Sequence, residues 1–272
     1  MGFILESLAL ESTRKCNLKC GHCMRGPSQN IDLTNEIIDT FFNNNDIKRI
    51  SNIIFSGGEP TLNPEIIVYT INKIITENID VCNIAMVTNG QIFNKEIVDA
   101  FNRFNEYRNI RVKEKIIKSY SKLEFLEKLI MDNTDNHARI TFSTDRFHKE
   151  ITNEIKKQYY EYAKGLEITE YSTKDEKIYK TGFSTIGQEF TYQLEKLKYY
   201  KEKEDYSILN NIYITANGYL TSEGKGQYSD MDNINMGHVS DTTIREILYK
   251  YGTPIFNTEP ISFSPKLLKK KI

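Results

Sequence analysis

The sequence predicts an α/β fold built on a parallel sheet, and three observations support this. Between residues 47 and 170, short β-branched runs alternate with amphipathic stretches of helical period. Two of those stretches open with helix start signals, Asn63 before Pro64 and Ser121 with Glu124 three residues later. The length of 272 residues suits one large domain with at most a modest appendage. Parallel strands joined by crossover helices give this pattern.

The predicted strands follow one another along the chain. An early strand precedes the alternating region, and five more lie within it. In order, they are residues 5–10, 50–55, 81–88, 110–112, 139–143 and 166–171.

Beyond residue 190 the pattern changes. Residues 193–205 (QLEKLKYYKEKED) are strongly charged, and a strand-like NIYIT, a glycine-rich polar stretch and a short helix near 243–249 follow. We therefore expect a soft boundary that divides the chain into a core domain, 1–190, and a C-terminal α+β extension, 191–272.

Composition argues against two classes of partner. The 36 basic and 37 acidic residues give a formal charge of −1, so no global basic field draws the protein to nucleic acid. No apolar run reaches the roughly 18 residues that a membrane span needs, and the N-terminal stretch is too short for a signal peptide. A cytoplasmic protein without a membrane partner is the expectation.

Three of the four cysteines lie in the segment Cys16-Asn-Leu-Lys-Cys20-Gly-His-Cys23. This spacing is too tight for a disulfide framework and is typical of metal ligation in a reducing compartment. A [4Fe-4S] cluster usually takes four cysteine ligands, so three would leave one iron open for a ligand. The alternative is a zinc site completed by His22 or a remote residue, which would make the chain a zinc-stabilised binding module. Cys82, in an apolar strand run, is interpreted as a small buried hydrophobic residue.

A glycine turn follows the predicted strand 50–55, in the order Ser56-Gly57-Gly58-Glu59-Pro60. The carboxyl ends of parallel strands are where such folds place ligands. Glycines there permit close backbone approach, and Glu59 can hold a ligand ammonium group. Taken alone, the motif is a weak signal, because an ordinary tight turn is its commoner explanation.

Together, CNLKCGHC and the SGGEP about 35 residues later resemble the radical S-adenosylmethionine (SAM) superfamily. The resemblance implies that Cys16, Cys20 and Cys23 bind a [4Fe-4S] cluster whose open iron is chelated by SAM. It also implies that the glycine turn binds the SAM amino group, with His22 near the adenine. The implied fold is a partial (β/α)6 TIM-type barrel over roughly residues 1–190.

Two further strand ends resemble cofactor contacts of that superfamily. Val87-Thr88-Asn89-Gly90 suggests a polar contact to SAM from Asn89, and Ser143-Thr144-Asp145 suggests binding of the ribose hydroxyls by Ser143 and Asp145. The alternative at both places is a turn capped by polar side chains.

The resemblance implies an enzyme that reductively cleaves SAM to a 5'-deoxyadenosyl radical, which abstracts hydrogen from a substrate. It implies a reductant such as flavodoxin or ferredoxin, and the sequence singles out no catalytic side chain. Residues 214–248 resemble the C-terminal extension of radical SAM peptide maturases, called SPASM, but Thr221, Ser222 and Glu223 stand where a cluster cysteine is expected. A peptide or protein substrate is therefore predicted, with a nucleotide or cofactor precursor as the alternative.

Overall fold

One large sheet organises the protein, as seen in a computed structural model that describes residues 2–119, 137–172, 178–256 and 258–261. Most helices pack on one face of this sheet, and most of the apolar core lies between them and the sheet. A smaller cluster on the other face joins Ala9 and Tyr213 to Tyr228 and Met231 of a short helix. The described strands are β1 (Phe3–Thr13), β2 (Ile47–Gly57), β3 (Val81–Thr88), β4 (Ala138–Ser143), β5 (Glu167–Tyr171), β6 (Tyr179–Lys180), β7 (Gln188–Glu189), β8 (Leu197–Glu202), β9 (Asp205–Ile214), β10 (Leu220–Thr221) and β11 (Gly252–Pro254). The described helices are α1 (Asn35–Asn44), α2 (Pro64–Thr76), α3 (Lys95–Ser119), α4 (Asn153–Tyr162), α5 (Tyr228–Asn233) and α6 (Ile244–Tyr251), with a 3-10 turn at Pro60–Leu62.

The strand order is that of an open, partial barrel. Strands β1 to β5 are parallel and lie side by side in chain order. A sixth parallel strand, β9, pairs with β1 on its other side, and β8 and β11 continue the sheet beyond it. The predicted α/β fold with a partial TIM-type barrel is confirmed.

Most of the predicted elements are present in the described residues. Helix α2 begins at Pro64 with Asn63 as its N-cap, and its buried isoleucines pack into the core. The start signal at Ser121 and Glu124 lies outside the described residues. None of the described helices is long and apolar enough to cross a lipid bilayer.

The predicted strand at 110–112 is wrong. These residues continue α3, whose sequence there is rich in arginine, lysine and glutamate. Such residues have high helix propensity, and the helix continues through the two β-branched residues among them. Ile110 is 51% exposed, whereas a parallel strand in this fold would bury it.

The C-terminal region adds its strands to the same sheet as the core. In the charged segment, Leu197 and Tyr199 are buried while Lys198 between them is exposed, which is the alternation of a strand with one covered face. The segment forms β8 and turns directly into β9, which pairs with β1. The division at residue 190 stays a prediction, with sheet pairing continuous across it.

Candidate active site

A cavity of about 300 Å³ lies at the carboxyl ends of the parallel strands. This is the edge at which such sheets bind ligands, because the loops that leave the strands converge there. All of the predicted site residues except Asp145 line it, namely Cys16, Cys20, His22, Cys23, Gly57, Gly58, Glu59, Asn89 and Ser143.

The glycine turn is bonded to the segment that leads into the cysteines. The Gly58 amide donates to the Thr13 carbonyl oxygen and the Glu59 amide to that of Lys15, both at 2.7 Å. A Cβ on Gly57, whose φ is +143°, would lie 2.3 Å from the Thr13 oxygen, and one on Gly58 would lie 2.2 Å from the Lys15 oxygen. The glycines are therefore needed because the protein's own backbone passes over them, a reason that the sequence did not reveal.

Further backbone bonds shape the cysteine loop. The Cys16 amide donates to Ser28 Oγ at 3.0 Å, and the Cys23 amide donates to the Cys20 carbonyl oxygen at 3.0 Å. The Cys23 carbonyl oxygen accepts from the Phe183 amide at 2.8 Å. The loop is thus held from both sides while its thiols are free of disulfides and half-buried.

The environment of the thiols opposes their ionisation in the absence of a cation. Burial raises the pKa of Cys16. Burial raises the pKa of Cys20 to about 11, and the neighbouring Cys23, Cys16 and Asp145 add to the rise. Since thiolates are the ligand form, a bound cation would relieve this mutual repulsion, which suits a metal-binding role.

Glu59 is the most heavily bonded group of the cavity, with its side chain 1% exposed. Its Oε1 accepts from the Thr61 amide at 3.1 Å and from the hydroxyls of Thr61 and Thr88, each at 2.6 Å. Its Oε2 accepts from the Asn89 amide at 2.8 Å. Burial raises the pKa of Glu59, while these hydrogen bonds oppose the rise. With a single donor, Oε2 keeps acceptor capacity for a ligand.

Asn89 and Ser143 lie at neighbouring strand ends. The Asn89 side chain donates to Asn17 Oδ1 at 2.8 Å and accepts from the Gln91 amide at 3.0 Å. Asn89 therefore ties the end of β3 to the cysteine loop, in addition to lining the cavity. Ser143, the last residue of β4, lines the cavity opposite it.

Asp145 lies behind His22 and does not line the cavity. Its Oδ1 accepts from His148 Nδ1 at 2.8 Å and from the Phe147 amide at 3.0 Å, and its Oδ2 is 3.4 Å from His22 Nε2. The His22 ring stacks on Phe147 at 4.7 Å between centroids. Burial lowers the pKa of His22, so the ring is neutral near pH 7. Burial raises the pKa of Asp145, but the bonds from His148 and Phe147 outweigh it and the net pKa is lowered. Asp145 Oδ2 faces His22 without a hydrogen bond to it and is buried with no hydrogen-bond partner among the described residues. The predicted contact of Asp145 with ribose stays a prediction.

A buried ion network joins the cysteine loop to the C-terminal region. Arg14, wholly buried, donates to Glu11 Oε2 at 2.9 Å and to Asp232 Oδ1 at 2.7 Å. Glu11 Oε2 also accepts from the Ala216 amide at 2.9 Å. Sequence reasoning missed this network, because no local pattern relates residues about 200 positions apart. Its effect is to anchor the residues just before Cys16 to α5.

Comparison with known families agrees with this geometry. The family model of the Radical SAM superfamily matches residues 10–114. Residues 10–114 therefore form a radical SAM domain. This segment contains the three clustered cysteines, the glycine turn and Asn89, and the match identifies the chain as a radical SAM enzyme. No curated protein matches the sequence.

Several solved structures are similar to this chain at low sequence identity. The structure of native anSMEcpe with bound AdoMet and Cp18Cys peptide is 11% identical, with a TM-score of 0.50, over 91% of this chain and 80% of that chain. BtrN in complex with AdoMet and 2-DOIA is 9% identical, with a TM-score of 0.48, over 91% of this chain and 83% of that one. Streptococcus suis SuiB bound to precursor peptide SuiA is 11% identical, with a TM-score of 0.39, over 92% of this chain and 65% of that one.

Proposed function

We propose that this radical SAM enzyme modifies a peptide, and that Cys16, Cys20 and Cys23 hold a [4Fe-4S] cluster that binds SAM. The observation that carries the cluster assignment is that one loop presents three thiols to a cavity that Gly58 and Glu59 also line. No fourth cysteine lies near this loop in the sequence, since the remaining one is Cys82 on β3.

The spacing of the thiols suits a cluster better than a single ion. Zinc held at about 2.3 Å from each sulfur would bring the sulfurs to about 3.8 Å from one another. Among the described residues, the three possible ligand atoms that lie within 4.8 Å of one another belong to His22, Asp145 and His148, not to the thiols. A cubane offers each thiolate a different iron, so its ligands stand farther apart.

The chain's own residues supply binding and orientation. When bound, the cluster would supply the electron that cleaves SAM to methionine and a 5'-deoxyadenosyl radical. Glu59 Oε2 is placed to accept from the SAM amino group, Asn89 and Ser143 add polar contacts at the cavity wall, and His22 offers a flat ring. We also propose that a flavodoxin or ferredoxin delivers the electron.

A peptide substrate is supported by the open sheet and by a related structure. The described strands leave the inner face of the sheet accessible near the cavity, where Val87 is 39% and Tyr171 is 45% exposed. An extended chain can lie along such a face. The similarly folded anSMEcpe is bound to Cp18Cys peptide.

The cluster and the peptide are tested separately. Anaerobically purified protein is expected to be brown, to contain iron and sulfide, and to release 5'-deoxyadenosine from SAM when reduced. Colourless, zinc-containing protein that releases none would refute the cluster.

Incubation with SAM and the short peptides encoded by neighbouring genes is expected to change the mass of one of these peptides. Turnover of nucleotides or cofactor precursors alone would refute the peptide substrate.

Glu59→Gln is expected to weaken SAM binding about tenfold and to lower the free energy of unfolding by about 2 kcal/mol. In the variant, the NH2 group of the glutamine would face hydrogen-bond donors that in the wild type face a carboxylate oxygen of Glu59. Isothermal titration with SAM and urea denaturation measure the two effects. The matched control is Glu65→Gln, at an exposed position in the first turn of α2. Equal SAM affinity in both variants would contradict the role of Glu59.

A further inference from the structure

A second cavity, of about 240 Å³, opens on the sheet toward the amino ends of its strands. Four polar side chains of the strands line it, one from each of β2, β3, β4 and β5, together with His137 just before β4, and apolar or small residues of β2 and β3 complete the wall. The four strand residues are Asn52, Asn83, Arg139 and Glu167.

Strand register places this cavity and the active-site cavity on one face. Asn52 pairs with Asn83, and Arg139 pairs with Glu167. Side chains at every second position share a face, so Asn83 lies on the same face as Val87, which lines the active-site cavity. The same step of four residues leads from Arg139 to Ser143 and from Glu167 to Tyr171, which also line it. Four residues of parallel strand separate the cavities by about 13 Å.

The polar groups of this second cavity are open to a ligand. Arg139 and Glu167 are exposed and adjacent in register, yet neither has an ion-pair partner in the part of the chain that the structure describes. The hydrogen bonds of the two amides are long. Asn83 Nδ2 is 3.3 Å from Asn52 Oδ1 and 3.4 Å from the Ser51 carbonyl oxygen, and Asn83 Oδ1 is 3.4 Å from His137 Nδ1. Asn52 Nδ2 donates to the Glu6 carbonyl oxygen at 3.2 Å. Bonds of this length are readily replaced by better ones.

We propose that this cavity is a substrate subsite that binds an acidic side chain of the peptide. The Arg139 guanidinium would hold the carboxylate in a bidentate pair, and the Asn52 and Asn83 amides would bond the adjacent peptide backbone, since each amide both donates and accepts. Of these two neighbouring charged residues, Arg139 lies farther from the edge of the sheet, because Glu167 is on β5, the last strand in the sheet order. Glu167 disfavours a second acidic group there.

The spacing gives the site a positional rule. An extended peptide advances about 3.3 Å per residue, so about four residues span the distance between the two cavities. The proposal rests on the proposed peptide substrate and adds that the acidic residue lies about four positions from the residue whose C–H bond is attacked.

The test uses the iron-loaded enzyme with SAM under anaerobic conditions. Fluorescein-labelled decapeptides of glycine and serine, with one central Glu, Gln or Lys, are titrated and binding is followed by anisotropy. The Glu peptide is expected to bind about tenfold more tightly than the Gln peptide, the contribution of a charge-assisted bidentate pair. Arg139→Gln is expected to abolish this preference, Arg139→Lys to keep part of it, and Arg139→Glu to transfer it to the Lys peptide.

The matched control is Arg103→Gln, at an exposed position on the outer helix α3, which is expected to leave the preference intact. Equal binding of the three peptides by the wild-type enzyme, or a preference that survives Arg139→Gln, would overturn the subsite. The Arg139→Glu reversal cannot arise from misfolding, so it separates recognition from loss of structure. Release of 5'-deoxyadenosine by the wild-type enzyme without peptide reports the proposed function independently.

Discussion

Substitution of any one of Cys16, Cys20 or Cys23 by alanine is expected to lower iron retention more than about 100-fold. Loss of a residue that only hydrogen-bonds a metal ligand lowers metal affinity by about 10- to 100-fold, and loss of the ligand itself should cost more. Each thiol would hold a separate iron, and the sequence offers no replacement thiol near the loop, since its remaining cysteine is on β3. Release of 5'-deoxyadenosine should fall below detection in all three variants. Iron and sulfide analysis, the visible absorption of the cluster and product chromatography measure this.

The matched control is Cys82→Ser. The Cys82 sulfur is buried away from the cavity and accepts from Arg49 at 2.9 and 3.1 Å and from Arg108 at 3.4 Å. Serine keeps an acceptor for these donors, so iron content and activity should stay at the wild-type level. Loss of iron in Cys82→Ser, or its retention in Cys20→Ala, would contradict the cluster assignment.

Gly58→Ala is expected to destabilise the protein by about 3 kcal/mol or more and to reduce iron loading. The new Cβ would meet the Lys15 carbonyl oxygen at 2.2 Å, and because that atom belongs to the backbone, the turn and the cysteine loop must move apart. The bonds that join Gly58 to Thr13 and Glu59 to Lys15 would be lost with this movement. Thermal unfolding and the iron content of the purified variant measure both effects.

Gly21→Ala is the corresponding control within the cysteine loop. A Cβ at Gly21 meets no atom within 4 Å, and the residue is not among those with positive φ. Its stability and iron content should match those of the wild type. Similar losses in both variants would show that the loop rejects any added methyl group and would refute the specific role of the contact at Gly58.

Local patterns of residues were sufficient to predict the class of chemistry and the type of fold. The cysteine spacing and the glycine turn are local patterns, and each needs only neighbouring residues to be recognised. The strands at 50–55 and 81–88 were predictable for the same reason, since their hydrophobic pattern and bounding turns are local. At 110–112 the β-branched residues alone suggested a strand, but these residues form part of helix α3.

The contacts between groups far apart in the chain became clear from the folded structure. It showed that Gly57 and Gly58 are glycines because Thr13 and Lys15 pass over them, and that Asp145 lies behind His22. It also brought the polar pairs of β2 to β5 onto one face. These relations depend on strand register and on close packing between segments far apart in the chain, and no pattern of adjacent residues encodes them.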